Sequence, residues 1–226
     1  MTARRGRVGE VLMAAVNRSI TVRWSAAVER AAAAEGEDVG ARVRSVRASF
    51  VRELAAVGGV SGGVAAVPAA GTATSLAVAA AELGWITVRL ADMILTIAAV
   101  HGLTESSVEE RRAWVLAVLV AGDNAALVMA EAARGAGKGI GRRAGRAVPV
   151  TALRGLNRTL AQSFVTKYGA RRQAIAVGTA LPFGVGAVVG GAANAAMART
   201  IGRQADRLFR SLNHSALTQL DSTLAE

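Results

Sequence analysis

Apolar residues recur at intervals of three and four along most of this chain, and few windows alternate with a period of two. That spacing predicts helix nearly throughout. From Val8 to about Ala34, the residues Val8, Val11, Leu12, Ala15, Val16, Ile20, Trp24, Ala27 and Val28 form one stripe, which ends at the charged cluster of residues 35–38. Asp38 suits the cap of a second helix. Its stripe is Val39, Val43, Val46, Phe50 and Leu54, with Arg42, Arg44, Arg47 and Arg52 on the remaining surface. Ser107 with Glu110 reads as a capping box for a helix carrying Trp114, Val118, Leu119, Ala126 and Met129. Thr151 suits the cap of another, with Leu153, Leu156, Leu160, Phe164 and Tyr168 on one side, Arg154 and Arg158 off it, and Gly169 at its end. A last helix is expected to reach about Leu212, followed by a loose polar tail over 213–226.

Two stretches carry no charge. The first runs from Leu54 to Ala81 and the second from Ile175 to Ala198; each is rich in Gly and Ala and is interrupted by a proline, Pro68 or Pro182. Proline removes a helical hydrogen bond and clashes with the preceding turn, so each stretch reads as two short elements with a break between them. The helix after Pro68 is expected to continue through Trp85 to Val100 and to stop at His101-Gly102, with Gly102 supplying the left-handed residue. Pro68 precedes Arg89-Leu-Ala-Asp92 by the interval that separates Pro182 from Arg203-Gln-Ala-Asp206. The two units therefore read either as a diverged internal repeat or as a coincidence of biased composition. The fold class expected is all-α: a single helical bundle over 1–212 with two Pro-broken hairpins.

The glycines admit three uses. Small-xxx-small pairs such as Gly58/Gly62, Gly59/Gly63 and Gly186/Gly190 let helix backbones approach closely. The length of each stretch also suffices for a bilayer span, although Gly and Ala contribute little to insertion. A third reading keeps the hairpins inside the bundle in water and opens them onto lipid. Asn194 is the polar residue singled out here, for a bond to the backbone of a neighbouring helix or, alternatively, for a ligand contact.

Charge narrows the partners. The chain of 226 residues has 27 Lys and Arg against 16 Asp and Glu, a net charge of +11. Between Ala132 and Ala205 there are twelve basic residues and no acidic one, and residues 134–148 form a basic, glycine-rich linker. A surface of this sign attracts anionic membrane, nucleic acid or an acidic protein. Lys138, Arg142, Arg143, Arg146, Arg154 and Arg158 are the candidates for anionic-surface binding. The helix from Thr151 to Tyr168 is amphipathic and suited to the interface of an anionic bilayer. The basic start lacks the apolar run of a secretory signal, so the expected address is cytoplasmic, peripheral at the inner face of the membrane.

Little points to catalysis or cofactors. The chain has no Cys, which excludes disulfides and thiolate sites, and only His101 and His214 can offer imidazole. No metal, cofactor or catalytic residue is expected. Glu82, Asp92 and Asp123 are the acids set in the most apolar surroundings, and pairing is the expected use of such groups. Arg89/Asp92 and Arg203/Asp206 have the three-residue spacing of helical ion pairs. The sequence GKGIGRR follows no strand, and neither GxxxxGK[ST], GxSxG nor HExxH occurs. The eight aromatics (Trp24, Phe50, Trp85, Trp114, Phe164, Tyr168, Phe183 and Phe209) fall mostly on apolar stripes, so core is their expected place rather than a platform for bases.

The order VGGVSGGVAAVPAAG, an apolar helix through RLAD to IAAVHG, then EERRAWVLAVL, resembles the EcsC family of bacterial proteins. The segment ALPFGVGAVVGGAANAAMARTIGRQA resembles that family's second Pro-Gly-rich element and the basic helix after it. The likeness spans about Ala41 to Phe209; one departure is His101, where an aromatic is expected before Gly102. The resemblance implies an intracellular, mainly helical, membrane-associated protein, linked through the family's name to an ABC-type transporter, with no catalytic residues to carry over. The leading expectation is a non-catalytic protein that docks on anionic lipid or a membrane complex. The alternatives are a non-specific nucleic-acid binder, and a lipid-binding module or enzyme with a cavity between the hairpins.

Overall fold

The computed structural model describes residues 13–64, 72–137, 148–178 and 185–224; side chains within 59–64, 72–80, 82, 136–137, 167–178, 185–189 and 215–224 are not described. Among the described residues the fold is all-α, a single helical bundle with no strand. Helix α1 comprises residues 13–21. It is followed by α2 (Trp24–Ala32), α3 (Val39–Val64), α4 (Thr72–Val100), α5 (Val108–Ala121), a 3-10 turn (Gly122–Asn124), α6 (Ala125–Gly137), α7 (Val150–Gly178) and α8 (Val185–Leu224). Both prolines expected to break the glycine-rich elements, Pro68 and Pro182, lie outside the described residues, as does most of the linker.

α4 is the axis of the bundle. Every residue over 89–100 is buried, so this helix is enclosed on all sides. Apart from Arg89, Asp92 and Thr96 the stretch is apolar all round, which suits the centre of a protein or of a bilayer. α2, α3 and α8 pack around it and α5 completes the enclosure, while α7 packs against α5. Phe50, Phe164, Phe209, Ile94, Leu95, Ile97 and Leu116 are among the largest fully buried side chains. Phe209 meets the Trp114 ring edge-on at 5.5 Å between centroids, joining α8 to α5. Trp85, by contrast, is 37% exposed.

Local signals hold where the chain alone decides. Asp38 Oδ1 accepts the Ala41 N–H at 2.6 Å and starts α3. The capping box is complete: Ser107 Oγ accepts from the Glu110 N–H, and the Glu110 carboxylate accepts from the Ser107 N–H at 2.8 Å. Gly102 takes φ +82 after α4, the left-handed conformation that favours glycine.

Six boundaries differ from expectation. The first helix is interrupted at Val22-Arg23, where Arg23 leaves helical geometry at φ −104, ψ 7 and its guanidinium turns to Asp92. The helix from Val108 breaks at Gly122, φ +60, into α5 and α6. Residues 134–137, expected as linker, form the last turn of α6. α7 begins at Val150 rather than after a Thr151 cap. Pro149 supplies the first carbonyl, to the Leu153 N–H at 3.1 Å, and a helix start needs no N–H from it. Gly169 does not end α7, which continues to Gly178, since one interior glycine costs only about 1 kcal/mol. The last helix also runs past Leu212: α8 continues for 40 residues to Leu224, and Asn213 Nδ2 donates to the His101 carbonyl at 3.0 Å.

Candidate anionic-partner surface

α3 and α8 form the most extensive helix pair, and glycine sets their separation. They run antiparallel, with Gly40 near Arg210, Arg47 near Gly202 and Gly58 against Gly190. A Cβ on Gly58 would lie 2.6 Å from the Gly190 carbonyl oxygen, and one on Gly190 would lie 2.7 Å from that of Gly58. Gly190 thus lies where the two helix backbones come closest, against Gly58. Asn194 Nδ2 donates to the Leu54 carbonyl at 3.3 Å, the interhelical bond expected of it. Gly186 belongs to α8, but its surroundings lie outside the described residues.

This junction orients the outer faces of the bundle. On α7, Leu153, Leu160 and Phe164 are buried, and Arg154 and Arg158 are exposed. The apolar stripe of α7 is thus used inside the bundle, against α5, and is not free to lie in a bilayer interface while the fold is intact. Among its described side chains, the outward face of α7 is mostly polar, with Val150 exposed at its start. Arg154 has a loose partner, Glu109, at 3.9 Å. Lys138, Arg142, Arg143 and Arg146 lie outside the described residues. Arg134, Arg199 and Arg203 are exposed as well.

Several arginines from elsewhere in the chain are turned inward instead, although Arg18, Arg44 and Arg52 are also exposed. Arg89 and Asp92 form the expected pair at 3.0 Å, buried to 8% and 4% side-chain exposure. Arg23 Nε donates to the same Asp92 oxygen at 2.7 Å, and Arg89 also pairs with Glu53. Arg89 lies 4.7 Å over the Phe50 ring, and Arg30 lies 4.8 Å from the same ring. Arg111 stacks at 4.7 Å on Trp24, and burial pushes its guanidinium below its usual pKa, partly offset by Glu110. These cations stitch α1–α2 and α3 to the central helices and face no partner.

The second expected pair is not formed. Arg203 donates to Thr200 Oγ1, whereas Asp206 meets His101 Nε2 at 2.9 Å and Arg210 Nε at 3.0 Å. The end of α4 places an imidazole within reach of Asp206, and Arg210 is one helical turn further on, so Arg203 is left outward. Burial raises the Asp206 carboxyl pKa, but the hydrogen bonds and charges of Arg210 and His101 outweigh it and hold the group below its usual value. Its carboxylate in turn raises Arg210. Asp123 is not buried, as its surroundings suggested, but 62% exposed and paired with Arg207 at 2.9 Å. Glu82 lies outside the described side chains.

Two helical stretches among the described residues are long and apolar enough to cross a membrane: Leu83–Val100, 83% buried, and Val108–Gly135, 50% buried. The second is broken at Gly122. No group of three or more potential metal ligands occurs among the described residues. Two shallow clefts open at the surface, one of about 320 Å³ lined by Val39, Gly40, His101, Arg210, Asn213 and His214, the other of about 690 Å³ beside α1. No family model, curated protein or solved structure matches the chain.

Proposed function

We propose that this is a non-catalytic, EcsC-like protein that docks peripherally, through a basic surface, on the cytoplasmic face of an anionic membrane or on a membrane complex there, such as an ABC-type transporter. One observation carries the reading. In the acid-free run, each arginine whose side chain is described (Arg134, Arg154, Arg158, Arg199 and Arg203) is exposed, and only Arg154 has a carboxylate partner among the described residues. The arginines that hold the bundle together come from elsewhere in the chain. Exposed, unneutralised guanidinium groups interact with anionic lipid at about 1 kcal/mol each.

Vesicle flotation tests this. The protein is expected to float with vesicles containing phosphatidylglycerol at low salt, to be released as salt rises, and to stay unbound with phosphatidylcholine alone. Absence of binding to the anionic vesicles at low ionic strength would remove the proposal. A mobility shift of duplex DNA with a steep salt slope, without vesicle binding, would favour nucleic acid instead.

A further inference from the structure

Resting on that reading, we propose that the outward face of α8 is the surface laid against the bilayer, with Arg199, Arg203, Arg207 and Arg210 contacting lipid phosphates and Arg44 of α3 beside them. At 100° per residue, positions 199, 203, 207 and 210 fall within a strip of about 80° on the helix. All four are exposed. They span about 16 Å along the axis, so their guanidinium groups form a ladder rather than a cluster.

The strip retains its charge. Arg199 and Arg203 have no carboxylate partner among the described residues. Arg207 and Asp123 are 60% and 62% exposed, and ion pairs in that much water hold weakly. Arg210 shares the Asp206 carboxylate with His101. At its end of the strip a second helix contributes. Arg44 Nη1 and Arg210 Nη2 lie 3.4 and 3.6 Å from the point where a Gly40 side chain would begin, and Asp38 Oδ1 lies 3.2 Å from it. Two guanidinium groups from separate helices thus meet around one carboxylate, which leaves a net positive charge at this end of the strip.

The shape of the strip selects the partner. It lies along a helix of 40 residues, a rod of about 60 Å, which suits a plane of charge. Ala192 and Ala196, exposed on the same line, are too small to hold the rod away from a flat surface. Among the described residues no aromatic is exposed on α8, so the strip has no stacking platform for bases.

The test compares two double substitutions of equal charge. R199Q/R203Q removes two of the ladder's four charges, and R154Q/R158Q removes two exposed charges from α7. All four positions are exposed, and unchanged helical circular dichroism and melting temperature establish that both variants fold. Partition onto vesicles of phosphatidylglycerol and phosphatidylcholine is measured at low salt. The α8 variant is expected to lose about 25-fold, about fivefold per arginine, and the α7 variant less than threefold. Equal losses, or a larger loss for the α7 variant, overturn the assignment to α8 while leaving membrane docking in place. A wild-type protein that fails to float overturns both. Loss of duplex DNA binding by R199Q/R203Q with unchanged vesicle partition also overturns it, in favour of a nucleic-acid contact on the same strip.

Discussion

Gly58→Ala introduces one methyl group where α3 crosses α8. The new carbon would begin 2.5 Å from Asn194 Nδ2, 2.6 Å from the Gly190 carbonyl oxygen and 2.8 Å from its carbon. Two of these atoms are backbone inside a helix and cannot turn aside, so the helices must separate. Overpacking of this kind costs about 1–3 kcal/mol. Separation also weakens the Asn194–Leu54 hydrogen bond, worth about 1 kcal/mol. Against this, Ala in place of Gly in a helix returns about 1 kcal/mol. The net expectation is a loss of about 1–3 kcal/mol, or roughly 2–12 °C in melting temperature for a chain of this size. Two matched substitutions supply the scale. Gly155, on the exposed face of α7, has nothing within 4 Å of the site of a Cβ, so Gly155→Ala is expected to gain about 2–4 °C. At Gly202 the nearest atoms are Cδ and Cγ of Arg47, the middle of a flexible side chain, so Gly202→Ala falls between the two. Thermal unfolding followed by circular dichroism at 222 nm gives all three. If Gly58→Ala melts at or above wild type, the crossing is not held at glycine contact and the reasoning fails.

Asp92→Asn removes the carboxylate shared by Arg23 and Arg89 and is expected to destabilise by about 1–3 kcal/mol in urea unfolding, since buried Arg89 keeps Glu53 and Arg23 is partly exposed. Ser107→Ala removes one half of the α5 capping box and costs about 1 kcal/mol by the same measurement. The folded-state pKa of Asp206 is depressed, so its contribution is complete above the unfolded value of about 4 and is lost as pH falls through the folded value. Wild-type melting temperature should therefore drop more steeply below pH 4 than that of Asp206→Asn. Parallel curves for the two proteins would exclude this linkage.

What was legible in the sequence was local. The α3 stripe, the Ser107–Glu110 box, the Gly102 stop and the Arg89–Asp92 pair each depend on residues within a turn or two of one another. Arg23 and Glu53 were not seen as part of the Asp92 network because they reach it across 69 and 36 residues, and no local pattern encodes that. Arg203–Asp206 shows the limit from the other side. It has the same three-residue spacing as Arg89–Asp92, but His101 from a distant helix takes the carboxylate and Arg203 turns outward. The extra length of α8 was hidden for a related reason, since Asn213 is held by the His101 carbonyl of a distant helix. The arginine ladder of α8 needed one further fact, namely which side of a 40-residue helix its neighbours leave uncovered.

The enclosure of α4 has a consequence for how the molecule opens. A helix with no solvent face over residues 89–100 cannot peel away singly, because each of its sides is another element's floor. Deuterium can reach those amides only when the entire assembly comes apart, whereas the outer rods fray at far lower cost. The interior helix is thus the molecule's slowest clock, and its exchange rate reads out global stability directly.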